Sequence, residues 1–204
     1  MEHYLKEQGT FLHVGCGPKT IAQTPFAGSQ WQELRLDIDE LVKPDIIGSI
    51  TAMPSVENES IDAIFSSHNI EHLYPHEVPI ALAEFQRVLR PGGFALITCP
   101  DLRSVCKRVA DDLLTEPAYT SPAGPIAPID ILYGHRASMA AGNLYMAHRC
   151  GFSEKVLVGS LQAAGFQQVA SLTRPQVYDL WALATKEKWP EQHLQKAAKQ
   201  LIGK

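Results

Sequence analysis

Strand-length apolar runs alternate with stretches of helical period along the first 100 residues, and no other feature restricts the fold as much. Alternation of this kind predicts a parallel sheet covered by helices, because parallel neighbours need a long crossover to bring the chain back. The runs are 10–16, 33–37, 45–49, 61–67 and 94–100. The first, fourth and fifth are apolar almost throughout, which predicts burial on both faces. Between the last two, residues 78–89 place Val78, Ala81, Leu82, Phe85, Val88 and Leu89 on one helical stripe. Arg90-Pro91-Gly92-Gly93 then predicts a stop and a sharp turn, since proline cannot continue a helix.

The C-terminal third repeats the pattern with a different ending. Residues 153–164 read as a helix capped by Ser153 and stopped by Gly165, with Phe152 stapling against Leu157. Strands at 166–172 and 178–185 follow, joined by Thr173-Arg174-Pro175-Gln176, and read as an antiparallel pair. Pro190 opens a last helix with its stripe at Leu194, Ala197, Ala198, Leu201 and Ile202. Residues 114–151, rich in proline and glycine, break the pattern and predict a lid or acceptor-binding insertion within one domain spanning 1–204.

Composition narrows the partners. A net charge of −4 and scattered basic residues argue against nucleic acid, and no apolar run approaches the roughly 20 residues needed to span a bilayer. Residues 1–8 are charged and lack a secretory core segment, and the four cysteines show neither C-x-x-C spacing nor disulfide density. A reduced, cytoplasmic setting is expected. No histidine or cysteine pair has compact ligand spacing, so no metal site is expected.

The chemistry gathers at the strand ends. The first strand runs into Gly15-Cys16-Gly17, where missing side chains permit a tight turn and close approach of a ligand to the main chain. Asp37 ends the second strand, where a carboxylate either accepts the hydroxyls of a ribose or caps the next turn. A nicotinamide dinucleotide site is a poorer match. The third glycine of G-x-G-x-x-G is absent, and about 15 residues of crossover offer no well-formed helix N-terminus for a pyrophosphate.

The ordered segments LHVGCG at 12–17, LRLDID at 34–39, the stretch 45–73 and FQRVLRPGGFALITCPD at 85–101 resemble the class I S-adenosylmethionine (SAM)-dependent methyltransferases of type 11. HRCGFSEKVLVGSLQAAGF at 148–166 resembles that group's C-terminal half. The resemblance implies an α/β, doubly wound, mostly parallel seven-stranded sheet in the order 3-2-1-4-5-7-6. It implies a SAM site, with S-adenosylhomocysteine as product, built from Val14, Gly15, Cys16, Gly17, Asp37, Ile38, Ser49, Ile50, Thr51, Ser67 and His68. Gly15 and Gly17 would border the methionine part, Asp37 the ribose, Ile38 and the turn at 49–52 the adenine. His13 and Ser49 stand where the family usually carries acids, which keeps a SAM-binding protein without catalysis as an alternative.

Methyl transfer requires alignment, exclusion of water and often removal of one proton. His68, just past the fourth strand, is the expected base or acceptor-positioning donor, against a plain loop role, with His135 and His148 folding over it from the insertion beside Asp130 and Tyr133. Glu71 and His72 are given structural roles at the start of the next helix, and Cys99 that of a small buried hydrophobe. A Pro-Cys segment and an Asn/Asp-Pro-Pro-Tyr/Phe motif are both lacking, so the expected acceptor is an oxygen or nitrogen of a small or glycan-like molecule.

Overall fold

The computed structural model describes residues 8–203. The expectation of no secretory core over residues 1–8 therefore falls outside the described residues, apart from Gln8. Strands β1 (Thr10–Val14), β2 (Gln32–Asp37), β3 (Ile46–Ile47), β4 (Ile61–Ser67) and β5 (Leu89–Pro100) pair in parallel within one sheet. A small hairpin, β6 (Tyr119–Ser121) and β7 (Gly124–Ile126), stands apart from it. β8 (Gln168–Arg174) and β9 (Asp179–Thr185) return to the sheet, β9 lying antiparallel to both β5 and β8. The order is β3-β2-β1-β4-β5-β9-β8. With the hairpin left out of the count, this is the expected 3-2-1-4-5-7-6.

Pleating sends alternate residues of each strand into two cores. On one face Leu12, Val14, Ile64, Ala95 and Ile97 pack against α1 (Val78–Val88) and against Leu157 and Leu161 of a later helix. On the other, Phe11, Phe65, Phe94 and Leu96 pack against Phe26, Trp31 and Trp189. The α1 stripe is buried at Val78, Ala81, Leu82, Phe85 and Val88, as its spacing requires. Leu89 has already left the helix, and strand pairing runs back through the Arg90–Gly93 turn.

Three expectations need correction. β3 pairs over only two residues, because its neighbours Asp45 and Gly48 are drawn into turn contacts with β2. A helix the periodicity did not reveal, α2 (Leu102–Ala110), follows β5. Asp101 caps it, accepting from the Arg103 N–H at 3.1 Å, and Val105 is its only fully buried residue. The insertion is also not irregular. Besides the hairpin it holds α3 (Pro128–Tyr133), α4 (Arg136–Ala140) and a 3₁₀ turn at Leu144–Met146. Short elements with few buried residues leave a weak sequence signal. α5 (Glu154–Ala163) and α6 (Glu191–Leu201) complete the fold, although the Ser153 side chain makes no capping bond to α5. Among the described residues no helix is long and apolar enough to cross a membrane.

Candidate functional site

A cleft of about 290 Å³ opens at the C-terminal ends of β1, β2 and β4, where a sheet of this topology offers its ligand crevice. β1 ends at Gly15 and Gly17, both in the left-handed region at φ +57° and +52°. A Cβ on Gly15 would lie 2.3 Å from Asn69 Cγ, so the turn after β1 packs bare backbone against the turn after β4. A Cβ on Gly17 would meet nothing.

Asp37 caps the turn that follows it and also borders the cleft. Its Oδ2 accepts the Gly17 N–H at 2.8 Å and its Oδ1 accepts the Asp39 N–H at 2.9 Å. The carboxylate is thereby fixed at the cleft wall with lone pairs left on both oxygens, as a ribose needs. Leu36, Ile38 and Ile50 supply apolar wall, and Ile38 is half exposed there, as an adenine neighbour should be. The residues present therefore fit an adenosine-bearing ligand. Ser49 borders the cleft, with its hydroxyl 2.8 Å from that of Thr51. The side chains of Val14 and Cys16 go elsewhere: both are buried in the sheet, and burial pushes the Cys16 thiol up to about 11. Thr51 and Ser67 stand beside the cleft-lining residues without being among them. These four positions offer backbone or support rather than cleft surface.

His13 has its own explanation. It is buried, and its Nδ1 lies 2.6 Å from Glu33 Oε1, while Glu33 Oε2 accepts the Ile21 N–H at 2.7 Å. An acid from β2 thus ties the loop after β1, and burial pushes the His13 pKa down.

With this geometry in view, residues 12–97 match the family model of the type 11 methyltransferase domain, the segment that builds the cleft. Over that segment the chain is similar to the SAM-dependent methyltransferases of that family. A probable methyltransferase, ltbC, of Aspergillus luteorubrus is 31% identical over 113 residues, covering 44% of this chain and 39% of that protein. The chain thus spans about two fifths of that curated relative's length. Among solved structures, the PH0226 protein of Pyrococcus horikoshii superimposes with a TM-score of 0.60 at 16% identity, over 90% of this chain and 84% of that one. The Burkholderia thailandensis 1,6-didemethyltoxoflavin-N1-methyltransferase, solved with its acceptor and S-adenosylhomocysteine, gives 0.56 at 16% identity, over 89% and 72%. At such identities the likeness is one of fold.

The far wall of the cleft comes from the turn after β4 and from the insertion. His68 borders the cleft at 46% exposed, in the left-handed region at φ +49°, with its N–H donating to Thr98 O at 2.8 Å. The insertion residues lining the cleft are Asn143, Tyr145 and Met146, with Arg149 just after them. None of these was anticipated. Those that were lie elsewhere: Asp130 is buried in an ion pair with Arg136, Tyr133 is exposed on the surface, and His135 Nδ1 sits 2.7 Å from Ser138 Oγ. The expected convergence of His135 on His68 is not seen, because α4 begins at Arg136 and keeps His135 at its own N-terminus.

His148 does converge, but on Glu71 and His72 rather than on the cleft. Residues 70–72 form a 3₁₀ turn, not the start of a helix, and Glu71 points inward at 1% exposed. His68 Nδ1 lies 3.3 Å from Glu71 Oε1. Burial pushes the Glu71 carboxyl up, but His68, then His72 and His148, outweigh it and hold the group below the usual carboxylate range. The His72 and His148 rings meet edge to face at 4.9 Å. The signal that could have found this cluster is the H-x-x-E-H run from His68 to His72; its partner His148 is too distant in sequence for local spacing to reveal.

Proposed function

We propose that this chain transfers a methyl group from SAM to an oxygen or nitrogen of a small-molecule or glycan-like acceptor in the cytoplasm. The observation that carries the reading is one cleft with two kinds of wall. Gly15, Gly17, Asp37, Ile38, Ser49 and Ile50 form a cofactor wall, while His68, Asn143, Tyr145, Met146 and Arg149 form an acceptor wall. The Burkholderia thailandensis enzyme of similar fold, an N1-methyltransferase solved with 1,6-didemethyltoxoflavin, supports the reading.

When bound, SAM supplies a methyl carbon activated by its sulfonium. Bound there, it would give that methyl to the acceptor's oxygen or nitrogen and keep the S–CH₃ electron pair as a thioether, and the acceptor's proton would go to a base. His68 is that base in this reading. Glu71 faces its Nδ1, which favours the tautomer with the proton there and leaves the Nε2 lone pair for the acceptor. The insertion residues exclude water and orient the acceptor. Asp37 and the two glycines hold the cofactor, with Val14, Cys16, Thr51 and Ser67 as supporting backbone and turn.

The test is turnover of candidate acceptors by mass spectrometry, in the parent chain and two His68 variants. General-base assistance is worth about 10²–10⁴-fold. His68→Ala should therefore lower kcat by that order with SAM affinity retained. His68→Asn keeps a donor but takes no proton, so it should be as slow as His68→Ala. Parent-like rates in both variants would remove His68 from the chemistry.

A further inference from the structure

We propose that Glu71, His72 and His148 form a binding site for one divalent first-row transition-metal ion, which clamps the end of the insertion to the turn after β4. One ligand atom from each of the three residues lies within 4.8 Å of the others.

The argument rests on where the donors and acceptors go. His72 Nδ1 lies 3.0 Å from Ala147 O, and His148 Nδ1 lies 2.7 Å from Ile131 O. A carbonyl only accepts, so both Nδ1 atoms carry a proton, and Nε2 is the nitrogen each ring has left to offer a cation. Metal-binding histidines are held in this way, with the other ring nitrogen donating to a carbonyl or carboxylate. Glu71 is fully enclosed; His68 Nδ1 faces its Oε1 at 3.3 Å, and its Oε2 has no hydrogen-bond partner. Two imidazoles and a carboxylate thus share one small space. A buried carboxylate with one oxygen unsatisfied is costly, and a cation between the three groups reduces that cost.

The donor set selects the cation. Two imidazoles and one carboxylate suit zinc and its first-row neighbours, whereas magnesium and calcium favour all-oxygen sites. Zinc takes nitrogen and oxygen ligands at about 2.0–2.2 Å, so modest side-chain movement brings the three atoms onto one ion. Glu71 Oε1 faces His68, which leaves Oε2 for the metal. Backbone contacts already join the same two segments: the Arg149 and Cys150 N–H groups donate to Glu71 O at 2.9 and 3.2 Å. The ion would lock this junction from the side-chain side. His72 also borders the cofactor cleft, so the clamp holds its acceptor wall.

The experiment uses the untagged full chain, stripped with chelator and gel-filtered. Zinc is titrated in competition with a chromophoric chelator, cobalt by visible absorption, and thermal unfolding is followed with and without zinc. One zinc should bind per chain and raise Tm, and cobalt should give the absorption of a nitrogen- and oxygen-ligated ion. Glu71→Gln and His148→Ala should each weaken zinc uptake by more than about 100-fold, beyond the 10–100-fold that loss of an outer partner costs. His76→Ala, on the exposed ring stacked on Tyr74, should bind zinc as the parent does. A folded parent that takes up neither ion stoichiometrically overturns the proposal without any variant. Undiminished uptake in both ligand variants also overturns it.

Discussion

Gly15 shows how much a single position can decide. Its left-handed φ costs a side-chain-bearing residue about 1–2 kcal/mol, and a Cβ would also overlap the Asn69 amide. Gly15→Ala should therefore destabilise the fold by at least about 1–2 kcal/mol in denaturant unfolding. It should also weaken S-adenosylhomocysteine binding, since Asn69 must move into the cleft wall. Unchanged stability would mean that the turn adapts freely. Asp37 is the second such position. Asp37→Ala removes an acceptor and frees the Gly17 N–H, and SAM affinity should fall by about 1.5–3 kcal/mol, the scale of a charge-assisted hydrogen bond. Calorimetry showing parent affinity in that variant would take Asp37 out of the site. Both residues were legible in the sequence because glycine pairs and strand-end carboxylates have local meaning. Asn69, Tyr145 and Arg149 were not, because what makes them cleft residues is the path of the chain between them.

At the scale of elements, legibility followed burial. Strands β1, β4 and β5 and helix α1 have many buried residues in a strict period, and the sequence shows each of them. α2 and the pieces of the insertion bury one to three residues each or none, so periodicity could not separate them from loop. Beside a small apolar cluster of Val105, Ile126 and Ile131, a polar network fixes the insertion. Asp130 accepts the Ala127 N–H at 3.0 Å and pairs with the Arg136 guanidinium at 2.6 Å. Arg136 is the main cause that holds the Asp130 carboxyl below the usual range, outweighing its burial. A group whose folded pKa is depressed stabilises the fold above its unfolded pKa of about 3.9, and the contribution is lost as pH falls through the folded value. The stability difference between the parent and Asp130→Asn should therefore be constant at neutral pH and shrink below about pH 4. Denaturant unfolding of the two chains at neutral pH and below pH 4 checks this. A difference that held constant into strong acid would show that the ion pair does not anchor the insertion.

The whole molecule closes one cleft between a wall built by the first half of the chain and a wall built largely by the insertion, the cofactor and acceptor sides of the proposed reading. Its topology was legible because βα alternation admits few arrangements, and the antiparallel last pair followed from a turn too short for a crossover. The Glu71 cluster was not, since residues 71 and 148 meet only once the insertion has folded back over the turn after β4. The central claim is that the cleft belongs to SAM rather than to a nicotinamide dinucleotide. The β1 turn agrees: only a 3₁₀ turn at Ile21–Gln23 follows it, with no helix N-terminus to hold a pyrophosphate. Calorimetric titration of the parent chain with SAM, S-adenosylhomocysteine and NAD tests this most directly. The account predicts saturable one-to-one binding of SAM and S-adenosylhomocysteine, weakened together by Asp37→Ala, and no heat of binding with NAD. Saturable NAD binding with none for S-adenosylhomocysteine would contradict it.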